Sequence, residues 1–210
     1  MSALLPVVLL AVFFACVAMM FNEGIWSNAI AFFNVMTAAL LATNFFEPLA
    51  AWVERKDPSY TYVLDFLALW AIFAAVLILL RLATDKISRV KVRFKRPVDI
   101  AGGIFFALWV GWIMVCFTTF SLHTAPLARS FMAGAFQETP ESEMFFGLAP
   151  DRKWLAFVHS LSDGGSLARG HAEGEPEDKN VFDSKADFIL RYGARRAAFE
   201  KVEDIRVRTR

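Results

Sequence analysis

The sequence predicts an all-α polytopic membrane protein: four transmembrane helices, then a short, mostly helical extracytoplasmic C-terminal tail. Three observations predict it. Hydrophobic residues make up 57% of the 210 positions and charged residues only 20%, which is far too much apolar surface for a disordered chain. The charges are also segregated, because residues 1–22, 24–46 and 100–128 contain no Asp, Glu, Lys or Arg, and residues 59–80 contain only Asp65. Finally, a bilayer core about 30 Å thick takes about 20 helical residues, and a soluble domain of this length has no interior for four such helices. Two cysteines exclude a disulfide scaffold, and a formal net charge of +1 points away from nucleic acid or an acidic substrate.

The helices are expected at about 3–21, 25–46 (with room to continue to Val53), 62–82 and 99–121, within a transmembrane domain of residues 1–125. The first segment has no basic residues ahead of its apolar run and no small-x-small cleavage site, so it is expected to stay as a helix. Cys16 and Cys116 fall mid-helix and read as small apolar residues.

Orientation follows from basic residues. Lys86, Arg89, Lys91, Arg93, Lys95 and Arg96 all lie between the third and fourth helices, which puts that loop in the cytoplasm. Helix parity then places the amino terminus and everything after about Leu122 on the periplasmic side of an inner membrane. The same basic loop can also hold anionic lipid.

Beyond the helices, residues 126–162 read as a partly ordered membrane-proximal segment, 163–180 as a linker and 181–210 as a final amphipathic helix. Trp154, Phe157, Val158 and Leu161 have the spacing of one helical face, with Asp151 placed to cap it. The aromatic residues of 144–161 are expected in the lipid interface or against a partner. The linker then gives the last helix independent reach. On that helix Arg191, Arg195 and Arg196 beside Tyr192 and Phe199 suit anionic headgroups or an acidic protein surface.

Candidate sites in the bundle are few. Ser27, Asn34, Thr37 and Asn44 share a face of the second helix, beside small residues. That face should point inward, either for interhelical hydrogen bonds or as a polar pathway. Asp65 sits about one turn inside the third helix, where an acidic group is a site hypothesis by default. His123 emerges at the end of the fourth helix, so the two could meet as a carboxylate–imidazole pair. Asp99 opens the fourth helix, and Gly102, Gly103, Ala107 and Gly111 follow it with the spacing of a close helix contact. No His-Glu-x-x-His, paired-cysteine, phosphate-loop or nucleophile-elbow motif occurs. Neither catalysis, nor a metal, nor a cofactor is expected.

In layout and residues the chain resembles the colicin V production protein family. The resemblance rests on four helices with a basic turn before the last, on Gly24 in the first turn, and on Phe46-Glu47-Pro48-Leu49-Ala50-Ala51-Trp52 at the end of the second helix. It also rests on Asp99, Gly102 or Gly103, Ala107 and Gly111, which resemble the family's Asp-x-x-x-Gly-x-x-x-Gly-x-x-x-Gly run. It covers about residues 1–125. The family's first turn is arginine-rich, where this chain has Asn22-Glu23-Gly24. The resemblance implies a non-enzymatic inner-membrane accessory of toxin production, export or envelope integrity. Its expected partners are membrane lipids and other envelope proteins or further copies of itself, with no nucleic acid. The alternative is a small transporter or channel subunit that uses the polar face of the second helix and Asp65.

Overall fold

The computed structural model describes residues 4–56, 61–88, 92, 94–127, 144–163 and 181–199. Among these residues there are six helices and no strand: α1 Leu4–Met20, α2 Ile25–Glu54, α3 Thr61–Ile87, α4 Arg96–Thr124, α5 Pro150–Ser162 and α6 Phe188–Phe199. By length and composition α2, α3 and α4 can each cross a membrane. α1 is a shorter apolar helix of 17 residues, about 25 Å long at 1.5 Å per residue.

Helix ends lie beyond the charge-free stretches because hydropathy marks the hydrocarbon layer, whereas a helix can continue into water. α3 runs on through Asp85 and Lys86 to Ile87, where the charge pattern predicts an end near 82. α4 starts at Arg96 rather than 99, with Pro97 in its first turn, where the missing N–H has no helical partner to lose. α2 continues through Pro48 to Glu54. α6 starts later than expected, at Phe188, because Asp183 Oδ1 accepts hydrogen bonds from the backbone N–H groups of Asp187 and Phe188 at 3.0 and 3.1 Å and holds residues 181–187 as turns.

The four apolar helices form an open row. α1 packs on α4, α4 on α2 and α2 on α3, while α3 and α4 meet only lightly. The small residues of α4 let α1 and the turn from α1 into α2 come close. A Cβ at Gly103 would lie 2.9 Å from the Glu23 carbonyl oxygen, and one at Gly111 would lie 2.9 Å from the Phe13 ring. Ala107, between them, is fully buried. Gly102 faces the side chain of Ile25. All four small residues are therefore used within the chain.

The tail does not float. α5 packs on α4 and α2, and α6 packs on α4. Phe182 and Phe188 share one apolar cluster with Phe46, Leu69, Phe117, Phe120, Trp154 and Tyr192. The rings of Phe120 and Phe188 stack at 4.8 Å, and Trp154 meets Phe117 edge-on at 6.3 Å. Met144 and Phe145 close a second cluster with Leu5, Leu9 and Val115. This corrects two expectations. The aromatic residues of 144–161 are spent mainly on the chain's own helices, and α6 has no independent reach, because burial of Phe182, Phe188 and Tyr192 fixes it. The linker is described only at Asp163; its residues 164–180, like residues 128–143 of the membrane-proximal segment and 200–210 of the tail, lie outside the described residues.

Candidate functional site

The ionisable side chains gather where α4 stops and α5 and α6 cover the row. Asp65, one turn inside α3, is 7% exposed. Its Oδ2 accepts a hydrogen bond from the Tyr192 hydroxyl at 2.9 Å and forms a short ion pair with the Arg195 guanidinium. Burial, and then the nearby Asp65 carboxylate, push the Tyr192 phenol above its ordinary value, so it stays protonated and donates. Arg195 also lies over the rings of Tyr62 and Tyr192, 5.8 Å from each centroid, within cation–π range. One turn earlier, Arg191 Nη2 donates to Glu47 Oε1 of α2 at 2.7 Å.

A second set holds the end of α4. His123 Nε2 and Asp151 Oδ2 lie 2.9 Å apart, and both side chains are buried. Arg196 Nη1 donates to the carbonyl oxygens of His123 at 2.5 Å and of Leu122 at 3.5 Å. A cation thus meets the carbonyls that a helix end leaves without helical partners, at the negative end of its dipole. On α5, Trp154 Nε1 donates to Thr43 Oγ1 at 3.0 Å, and His159 Nδ1 lies 2.9 Å from the Phe182 carbonyl oxygen.

Several sequence expectations change here. Asp65 and His123 do not pair. Asp65 is taken by Arg195 and Tyr192, whose side chains reach α3 from α6, and His123 is taken by Asp151. Asp151 is not the cap of α5, since the capping position is Ala149 in the left-handed region and makes no side-chain cap bond. The buried face of α5 is Asp151, Trp154, Val158 and Ser162. Phe157 is 38% exposed and Leu161 only partly buried, because at 3.6 residues per turn Asp151, Val158 and Ser162 lie to one side of Trp154 and these two to the other. On α2, Asn34 and Asn44 are buried but Thr37 is exposed. The inward polar set is instead Asn28, Asn34, Thr43 and Asn44. Asn34 Nδ2 donates to Thr84 Oγ1 of α3 at 3.1 Å.

The opposite end is knitted by Asp99, whose Oδ1 accepts from the Ile25 N–H at 2.9 Å. A carboxylate in the first turn of α4 thereby also caps α2. Gly24 is required beside it, because a Cβ there would lie 2.8 Å from the same oxygen. Asn28 Nδ2 bridges the carbonyls of Met20 and Gly103 at 3.0 and 2.9 Å. Trp26 Nε1 donates to Ser88 Oγ at 2.7 Å. Of the basic loop, Lys86, Lys95 and Arg96 are exposed; Arg89, Lys91 and Arg93 lie outside the described residues.

Sequence reasoning missed Glu47, Thr43, Asn28 and the pairing role of Asp151. One signal was present. An acid within an apolar layer calls for a cation, and the tail offers Arg191 and Arg195 one turn apart. Among the described residues, no group of three His, Cys, Asp or Glu side chains could hold a metal ion. The cavity between Tyr62, His123, Tyr192 and Arg195 is about 10 Å³, room for about one water. Among the described residues, the polar side chains of the cap latch one helix to another.

Long apolar helices joined by buried polar contacts define the class: a helical membrane protein. Within it, this chain belongs to the colicin V production protein family, whose model matches residues 5–145. The match runs from α1 through α4 and ends before α5. Membership supports a role in colicin V production. No curated protein and no solved structure matches the chain.

Proposed function

We propose that this protein is a non-enzymatic inner-membrane accessory factor in toxin production or export, or in envelope integrity, and that it acts by holding protein partners. The observation that carries this reading is the pairing of its ionisable groups. Asp65 with Arg195, Glu47 with Arg191 and His123 with Asp151 join separate helices to one another instead of lining a passage. With these three pairs committed to its own architecture, the protein acts by presenting a shaped surface.

On this reading the chain crosses the membrane four times, with α1 as the fourth span. Residues 1–22 carry no charge, and a helix of about 25 Å comes close to the hydrocarbon thickness. The basic loop lies in the cytoplasm, and α5 and α6 form a periplasmic cap. The cap lies beyond the family match, so it is the place where partner choice differs among relatives.

Two measurements test this. A reporter fused after Arg210 is expected to be active only in the periplasm; cytoplasmic fluorescence would reverse the orientation. Mild crosslinking in native membranes is expected to recover an envelope protein through the cap, while the purified chain in liposomes carries no proton flux. Proton flux that Asp65→Asn abolishes would make the protein a transporter instead.

A further inference from the structure

α2 and α3 do not close against each other along their whole length. Toward the end of the row that carries the α3–α4 connection they leave an apolar groove of about 450 Å³, lined by Ala31, Asn34, Val35, Leu77, Ile78 and Arg81, with Leu82 at its edge. The volume lies in the range of sites that hold small molecules. Ala31 leaves the depression, and the aliphatic side chains of both helices form the walls.

Arg81 makes this groove different from an ordinary lipid-facing hollow. It is the first charged residue after Asp65 in the apolar run of α3, six residues before the last residue of that helix, or about 9 Å along the axis. A cation at that depth reaches toward the headgroup layer along its own aliphatic stem. Its partner among the described residues is Asp85, one turn on, bonded through Nε at 3.2 Å, with both side chains about 60% exposed. An exposed pair of this kind is weak, and it engages only one nitrogen of the guanidinium fork. Behind the cation, Asn34 is 96% buried and tied to Thr84, so the polar end of the groove is rigid.

We propose that this groove binds an anionic phospholipid, with one acyl chain lying between Ala31, Val35, Leu77 and Ile78 and the phosphate held by Arg81. The charge decides the occupant. A guanidinium at the rim matches a phosphate in planar, two-pronged geometry, whereas a helix from a second copy would need its own acid at that depth. α1 contains no acidic residue, the acid of α4, Asp99, is bonded to Ile25, and the acid of α3, Asp85, already faces its own Arg81. This inference is independent of the accessory reading, since a transporter could hold the same lipid.

The test uses the full-length protein in neutral detergent, titrated with phosphatidylglycerol or phosphatidylcholine and read by native mass spectrometry and by thermal unfolding. Phosphatidylglycerol is expected to remain bound at one copy per chain and to raise the melting temperature, and phosphatidylcholine to do neither. Arg81→Gln should weaken phosphatidylglycerol retention about tenfold, the size of one charge-assisted hydrogen bond; Arg81→Lys should restore part of it. Ala31→Leu, which fills the groove and leaves the charge, should also abolish the bound copy. Equal loss from Lys95→Gln would overturn the proposal, because loop charge alone would then explain binding. So would retention unchanged by both Arg81→Gln and Ala31→Leu, or a second protein copy in the groove in place of lipid.

Discussion

Arg195 of α6 is ion-paired with Asp65 of α3, across 130 positions of sequence. That pair, with the Tyr192 hydroxyl on the same carboxylate oxygen, ties the end of the chain to its third helix. Asp65→Asn keeps the shape but removes the charge that Arg195 faces. It is expected to cost about 1.5–3 kcal/mol, read as a lower unfolding midpoint in detergent. The double variant Asp65→Asn with Arg195→Met, in which the Asn amide oxygen can still accept from the Tyr192 hydroxyl, should cost less than the two single changes added together, since removing both partners of a buried pair is milder than removing one. Strictly additive losses would show that the two side chains do not interact.

Ending the chain at Asp163 should damage the helix row itself. It removes Phe182, Phe188 and Tyr192 from the cluster that contains Phe46 and Phe120, each worth about 1.5–3 kcal/mol when buried. The truncated protein is expected to insert but to melt many degrees lower and to aggregate on extraction. An unchanged melting curve would mean that α6 contributes nothing to the row.

Ala107→Leu places a larger side chain on the face of α4 that Gly103 and Gly111 share, where Ala107 is fully buried. Overpacking of this kind costs about 1–3 kcal/mol. Because that face packs inside one chain, oligomer mass in detergent should not change while the melting temperature falls. A changed mass would move that face to an interface between copies.

At the opposite end, Asp99→Ala should cost about 0.5–2 kcal/mol, the range for losing a helix-capping oxygen, because Ile25 N–H loses its acceptor. Gly24→Ala should be destabilising for a different reason, its Cβ lying 2.8 Å from Asp99 Oδ1. With Asp99→Ala already present, Gly24→Ala should cost less than it does alone; a cost unchanged in that background would show that the Asp99 carboxylate is not what the added Cβ meets.

Trp154→Phe keeps most of the packing against Phe117 but loses the bond to Thr43 Oγ1. A loss of about 1 kcal/mol is expected. Thr43→Val combined with it should add little, since the pair is already broken.

The all-α class was legible because lipid demands long uncharged runs, and such runs stand out without knowing what they touch. The α1–α4 seam was half legible: the stripe of Gly103, Ala107 and Gly111 announced a close contact but not its partner. The cap was misread for a physical reason. Arg191, Arg195 and Arg196 look like solvent-facing charges when α6 is read alone, and only the fold brings Glu47, Asp65 and the end of α4 to them. His123 was likewise assigned the wrong acid, because depth in the membrane narrows the choice of partner without settling it. Asp151 had been explained away as a cap.

The order α1–α4–α2–α3 also constrains how the protein is made. α1 is synthesised before α2, α3 and α4, yet its one extensive neighbour is the last of these. At 5–20 residues per second, the stretch from Met20 to Thr124 takes roughly 5–20 s to emerge. On the reading that α1 spans the bilayer, it waits through that interval without its main partner, and its charge-free composition makes that wait tolerable. On the same reading, a polar substitution on its buried face, at Leu5 or Leu9, would act before the fold exists, by letting the helix escape from the bilayer while its partner is still unmade.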